Sequence, residues 1–137
     1  MNALIRSQLL DTGLLFLRIG FGVTMLLSHG WPKLANYSTY LEKFPDPIGF
    51  GIMTSLCLAI FAEVACSILV VIGLATRLAA IPLLITMGVA FFVIHGAQPF
   101  SEKEMSFIYM ISFLILLFTG GGKFSLDYHL PVLKRIY

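Results

Sequence analysis

Residues Asp11 to Lys33 read DTGLLFLRIGFGVTMLLSHGWPK, an apolar run broken by one arginine and closed by a histidine. The run is long enough for a helix to cross a bilayer. Arg18 and His29 lie eleven positions apart, which at ~100° per residue returns them to nearly the same helix face, with Gly22 and Met25 between them. An ionisable group inside a membrane helix costs ~2.5–3.5 kcal/mol at the helix centre, so such a stripe faces a partner or a wet cavity rather than lipid.

Outward from that stretch, the composition points the same way. The 137 residues are 58% hydrophobic and 12% charged, with a mean hydropathy of +0.94. A water-soluble domain of this size has too little interior for so much apolar surface. The apolar residues gather in four blocks, predicting spans over about 11–29, 52–72, 78–95 and 104–119 within one domain, 1–137. The expected fold is an all-α membrane protein, a four-transmembrane-helix antiparallel bundle. Asp11 and Arg18 interrupt the first block and no small-x-small site follows it, so it reads as a retained span rather than a cleaved signal.

The connecting segments add orientation. Arg6, Arg77, Lys123, Lys134 and Arg135 fall on one side and Lys33, Lys43 and Lys103 on the other, which predicts both termini in the cytoplasm. The formal charge of +2 is dispersed, which excludes nucleic acid as a partner. Met1 to Leu10 is expected at the cytoplasmic interface, and Pro32 is expected to end the first helix. Leu34, Tyr37, Leu41 and Phe44 recur at helical spacing, predicting a short interfacial helix in the first outer loop. Gly120 to Gly122 end the fourth span before a polar tail with Phe124, Tyr128 and Tyr137. Cys57 and Cys66 stand nine residues apart on opposite faces of one helix, ~13.5 Å along its axis, so they do not pair and read as small buried hydrophobes.

Two polar groups emerge. Counting from the cytoplasmic edge, Arg18 is seven residues from Asp11, ~10 Å deep, and Glu63 nine from Ile72, ~13 Å deep, so a buried Arg18–Glu63 pair is expected. At the outer boundary His29 closes the first span, His95 closes the third and Glu104 opens the fourth. These could hold a metal, bind haem iron through paired imidazoles, or exchange protons with a quinone headgroup. As Arg18 and His29 share a face, both groups are expected to line one outward-opening pocket. A plainer reading of the same residues stands beside this: Arg18–Glu63 as a pin for helix register, the histidines among lipid headgroups, and Glu104 complementing a helix N-terminus.

The run RIGFGVTMLLSHGWPKL from Arg18, FAE at 61–63, GLATRLAA from Gly73, His95, Glu104 and GGGKFSLD from Gly120 together resemble the DoxX family. The resemblance implies a four-helix inner-membrane protein related to the small membrane subunit of an archaeal thiosulfate:quinone oxidoreductase and to proteins of redox stress. It also favours Arg18, His29, Glu63, His95 and Glu104 as pocket residues. Relatives in the broader superfamily act as assembly chaperones for other membrane proteins, so a scaffold role is the alternative. The chain has no flavin or dinucleotide motif and no paired redox cysteines, so an oxidoreductase role needs a quinone, haem, metal or partner subunit. Glycines 13, 20, 22, 73 and 88 permit close helix approach, either in a homodimer or in packing within the bundle.

Overall fold

The computed structural model describes residues 3–130, and among them every regular element is helical. The expectations for Lys134, Arg135 and Tyr137 lie outside the described residues. Among the described residues three helices are long and apolar enough to cross a membrane: Leu4–Ala35, Ile52–Ile72 and Thr76–Ile94.

The first span is longer at both ends than the sequence suggests. Its helix α1 (Ala3–Met25) already includes the segment expected as a separate interfacial stretch. Pro32 does not stop it either: a π-helical segment, Leu26–Gly30, leads directly into α2 (Trp31–Ala35). The Trp31 N–H donates to the Leu26 carbonyl, five residues back. Pro32 thus follows where a π turn hands over to an α turn, and its missing N–H costs one bond without breaking the rod. After Asn36 comes α3 (Tyr37–Lys43), the short helix expected in the first outer loop. The loop that follows is tied back by Asp46, which accepts the Gly51 N–H at 3.0 Å and the Ser55 hydroxyl at 2.8 Å.

The second span comprises α4 (Ile52–Ile60), a π segment Phe61–Cys66, and α5 (Ser67–Ile72). It ends at Gly73, whose φ of 74° is left-handed. Leu74 N–H bonds Leu69 O and Gly73 N–H bonds Val70 O, the Schellman pattern of a glycine-terminated helix. The third span is α6 (Thr76–Val89) followed by a π segment, Ala90–Ile94. The fourth long helix, α7 (Phe100–Thr119), begins four residues earlier than expected, after Pro99. Its opening turns carry Glu102, Lys103 and Glu104, leaving Met105–Thr119 as the uncharged part, ~22 Å long. A short α8 (Leu126–His129) follows.

Each long helix contributes to one buried cluster: Met25 from the first; Cys66 and Val70 from the second; Ala79, Ala80, Leu83 and Met87 from the third; Tyr109, Phe113 and Leu116 from the fourth. The first two spans run antiparallel, since a Cβ on Gly22 would strike Val71 and one on Gly30 would strike Glu63. Phe16, Ile85, Phe92 and Phe118 stand exposed on the outside, a surface suited to lipid rather than water. Cys57 is exposed as well, contrary to the expectation of burial, while Cys66 is buried; both are free. The Tyr37 hydroxyl lies 3.6 Å from the Cys57 sulfur, and that hydrogen bond pushes the phenol pKa up.

Candidate functional site

A cavity of about 420 Å³ opens at the end of the molecule where α3 and the loop after it lie. That volume falls within the range of small-molecule sites. Three spans reach its wall through their π segments. His29 sits in Leu26–Gly30, Glu63 in Phe61–Cys66, and His95 directly follows Ala90–Ile94, its N–H bonding Ala90 O at 2.9 Å. A π turn inserts a residue into an α-helix and redirects the side chains on it, and such turns recur at functional sites.

The strongest contact in the cavity is an ion pair. Lys33 Nζ lies 2.6 Å from Glu63 Oε2, the two side chains being 14% and 4% exposed. The same amine donates to the His29 carbonyl at 3.2 Å. Gly30 makes this approach possible, because a Cβ there would lie 2.5 Å from the Glu63 carbonyl oxygen. With no side chain between them, the backbones close until Lys33 reaches Glu63, and each charge offsets the other's loss of water. The His29 ring stands edge-on to Tyr109, with centroids 5.4 Å apart, and Tyr109 stacks on Phe113. His95 Nδ1 lies 2.7 Å from Gln98 Oε1, which orients the second imidazole. Glu102 also lines the cavity.

Of the five residues singled out from sequence, the structure brings His29, Glu63 and His95 to this cavity and places the other two elsewhere. Glu104 is exposed on α7 and does not line it. The helix starts at Phe100 rather than Glu104, which turns Glu102 to the wall in its place. Arg18 is fully buried at the opposite end, and the expected Arg18–Glu63 pair does not form. The register explains why. Gly22 meets Val71 and Gly30 meets Glu63, so Arg18 lies beside Val70 and Val71, about 12 Å along the helix from Glu63. Nor do the two groups share one pocket, because Met25 and the rest of the buried cluster fill the space between them.

Arg18 instead caps a helix end. Its guanidinium donates to the carbonyls of Val70 at 3.4 Å, Val71 at 3.3 Å and Phe124 at 2.9 Å. The first two belong to the last turn of α5, where carbonyls lack helical partners and a cation suits the dipole. Asp127 does the converse for the third span, accepting the N–H groups of Ala75 at 2.6 Å and Thr76 at 2.8 Å. Asp11 accepts the Lys123 N–H at 3.0 Å. The GLATR and GGGKFSLD segments thus form one polar knot, beside an open cleft of about 360 Å³.

Lys33 escaped sequence reasoning because Pro32 looked like a helix end. The signal was present: Lys33 continues the 18, 22, 25, 29 stripe by one more turn. Among the described residues no three His, Cys, Asp or Glu side chains form a metal-binding group.

Comparison with known proteins adds a family. The DoxX family model matches residues 13–96, the stretch that holds Arg18, His29, Lys33, Glu63 and His95. Two relatives from Haemophilus influenzae, both described only as uncharacterized proteins, are similar along most of their length. One is 31% identical over 137 aligned residues, covering 87% of this chain and 89% of the relative. The other is 31% identical over 121, covering 83% and 87%. No solved structure matches.

Proposed function

This chain belongs to the DoxX family, and from that premise we propose that it is a quinone-binding, or similar small-molecule-binding, subunit of an oxidoreductase system in the bacterial cytoplasmic membrane. In this reading the chain is a single domain whose four long helices cross the bilayer as an antiparallel bundle, both termini in the cytoplasm. A partner subunit supplies the electron donor.

One observation carries the reading: three spans deliver His29, Glu63 with its Lys33 counter-ion, and His95 to one cavity, each through a π segment. The residues fit a quinone head. A neutral imidazole carries one N–H that donates to a carbonyl oxygen and one nitrogen that accepts from a hydroxyl, so the two histidines suit both the oxidised and the reduced ring. The Tyr109 ring, already edge-on to His29, offers an aromatic wall. Lys33 and Glu63 hold a proton within one short contact and fix the position of the His29 backbone. A bound quinone would supply the two-electron chemistry that these side chains lack.

Purification in mild detergent, followed by solvent extraction and an absorbance spectrum, tests this. The expected result is quinone near one equivalent per chain, reduced at least tenfold in His29→Ala and His95→Ala. Quinone at the level of bulk lipid, unchanged in both variants, would overturn the reading. Recovery of a membrane-protein partner that persists in both variants, with no quinone bound, would establish the scaffold role instead.

A further inference from the structure

We infer that the chamber is reached sideways from the bilayer, between the second and third spans, and that its occupant is an amphiphile with an uncharged head and a long apolar chain. For the identity of the head this rests on the reading above; the sideways opening stands on geometry of its own.

The cavity runs from His95, at one end of the third span, to Ile85, the midpoint of Thr76–Ile94. Ten residues separate them, ~15 Å along the axis. His29, Lys33 and Glu63 meet deep in the cavity, with Thr86 beside Ile85, while Leu58, Ile85 and Val89 give apolar lining on the second and third spans. Leu58 and Ile85 both line the cavity and stand open to the surroundings, at 49% and 61% exposure. Two residues on neighbouring helices that face inward and outward at once mark a rim. Both lie well inside their spans, Leu58 seventh in Ile52–Ile72 and Ile85 tenth in Thr76–Ile94, so the rim meets hydrocarbon.

A polar solute has no reason to cross that rim, since it would leave water for lipid before reaching the chamber. A molecule already dissolved in the bilayer loses nothing: its chain stays between Leu58 and Ile85 while its head exchanges lipid for hydrogen bonds. The end nearest His95 is lined by Phe44, Pro47 and Ile48, on the loop that Asp46 fastens to Gly51 and Ser55.

Charge selects the head. The lysine in the lining is already matched by Glu63, and Glu102 adds a further negative charge. No lysine or arginine of the lining is left over for a phosphate or carboxylate, so an anionic head gains no fixed counter-charge and meets Glu102. An uncharged head with carbonyl or hydroxyl oxygens meets His29, His95 and the Ser55 hydroxyl.

The test uses the full chain in phosphatidylcholine nanodiscs and a long-chain alcohol bearing a diazirine in its tail, with labelled positions mapped by mass spectrometry. The expected result is labelling of the buried wall residues Ala59 and Met87 alongside lipid-facing Phe16. Ile85→Trp and Leu58→Trp should each cut wall labelling at least fivefold and leave Phe16 unchanged, while Phe92→Trp, on the outer surface, should change neither. The corresponding diazirine fatty acid, compared at alkaline pH where it is ionised in the bilayer, should label the wall at least fivefold less. Labelling confined to Phe16, wall labelling indifferent to both rim variants, or a preference for the fatty acid would overturn the inference. The two readings fail separately. Wall labelling that survives in a protein carrying no quinone removes the quinone but keeps the opening. Competition by tail-less and tailed quinones alike, with no effect of the rim variants, keeps the chamber but removes the opening.

Discussion

Replacing Arg18 with methionine separates two accounts of a fully buried charge. In the structure its guanidinium reaches the carbonyls of Val70, Val71 and Phe124. Val70 O keeps a second partner in the Gly73 N–H, so Arg18→Met strands two carbonyls, those of Val71 and Phe124. At ~1–3 kcal/mol for each unsatisfied buried group, the loss is ~2–6 kcal/mol. Relief of the cation's own desolvation, with methionine filling similar volume, brings the expected value to ~2–4 kcal/mol. Arg18→Lys keeps the charge but not the fork that serves both the end of α5 and the Phe124 loop carbonyl, and should lose about half as much. Unfolding by SDS titration, followed by circular dichroism, measures these differences. The decisive measurement is the double variant with Glu63→Gln. Arg18 and Glu63 are about 12 Å apart along the helix, so their effects should add to within ~0.5 kcal/mol. A coupling energy above ~1 kcal/mol would mean that the two side chains touch, and would refute the register on which the separation of the two polar ends depends. A loss below ~1 kcal/mol in Arg18→Met would show that the carbonyls have other partners.

Further outcomes follow from the cavity end. Lys33→Met should destabilise by ~3–5 kcal/mol, by leaving Glu63 buried without a counter-ion, whereas Lys33→Met with Glu63→Leu should recover most of the loss in the same titration. Gly30→Ala should cost ~1–3 kcal/mol and at least tenfold in quinone retention, because its Cβ collides with the Glu63 carbonyl; Gly20→Ala, whose Cβ meets nothing within 4 Å, should be neutral or stabilising by up to ~1 kcal/mol. Deleting Ser28, an exposed residue of the first π segment, should return that stretch to α geometry with stability held to ~1 kcal/mol but retention of ligand lost, as judged by solvent extraction. A membrane-permeant maleimide should label Cys57 in the folded protein and Cys66 only after unfolding; equal labelling would contradict the burial of Cys66.

What could be read from the sequence was periodicity, and what could not was register. The 18, 22, 25 stripe faces inward: Arg18, Gly22 and Met25 are buried. Burial is a property of one helix and is written in its spacing. Pairing across helices is not, because apolar sequence alone leaves two neighbouring rods free to slide by whole turns. The expected Arg18–Glu63 contact took Asp11 as level with Ile72, whereas the structure sets Arg18 near that level, a slip of about seven residues. The glycines that settle the register, Gly22 and Gly30, were visible as residues, but their opposite numbers Val71 and Glu63 were not. Proline misled in a similar way. Pro32 ends an ordinary α-helix, but a preceding π turn removes the conflict, and no local propensity announces a π turn. Glu104 was displaced by Glu102 for a smaller reason, a helix start that fell four residues early.

The distribution of irregularity between the two ends argues for what each end does. At the Arg18 end every device closes something: a glycine cap ends α5, an arginine covers its last carbonyls, and Asp127 covers the first amides of the third span. These are the contacts expected where the requirement is to hold helices together. Toward the His29 end the same three spans all depart from α geometry, and two of these departures are level, since Gly30 of the first π segment lies against Glu63 of the second. A π turn gives poorer hydrogen bonding for no gain in packing, so a bundle shaped for stability alone would have shed it. What the π segments provide is an open wall with ionisable groups on it, kept from collapse by the Lys33–Glu63 pair and the Tyr109 ring. The capping contacts thus gather at one end of the helices and the departures from α geometry, with the cavity, toward the other.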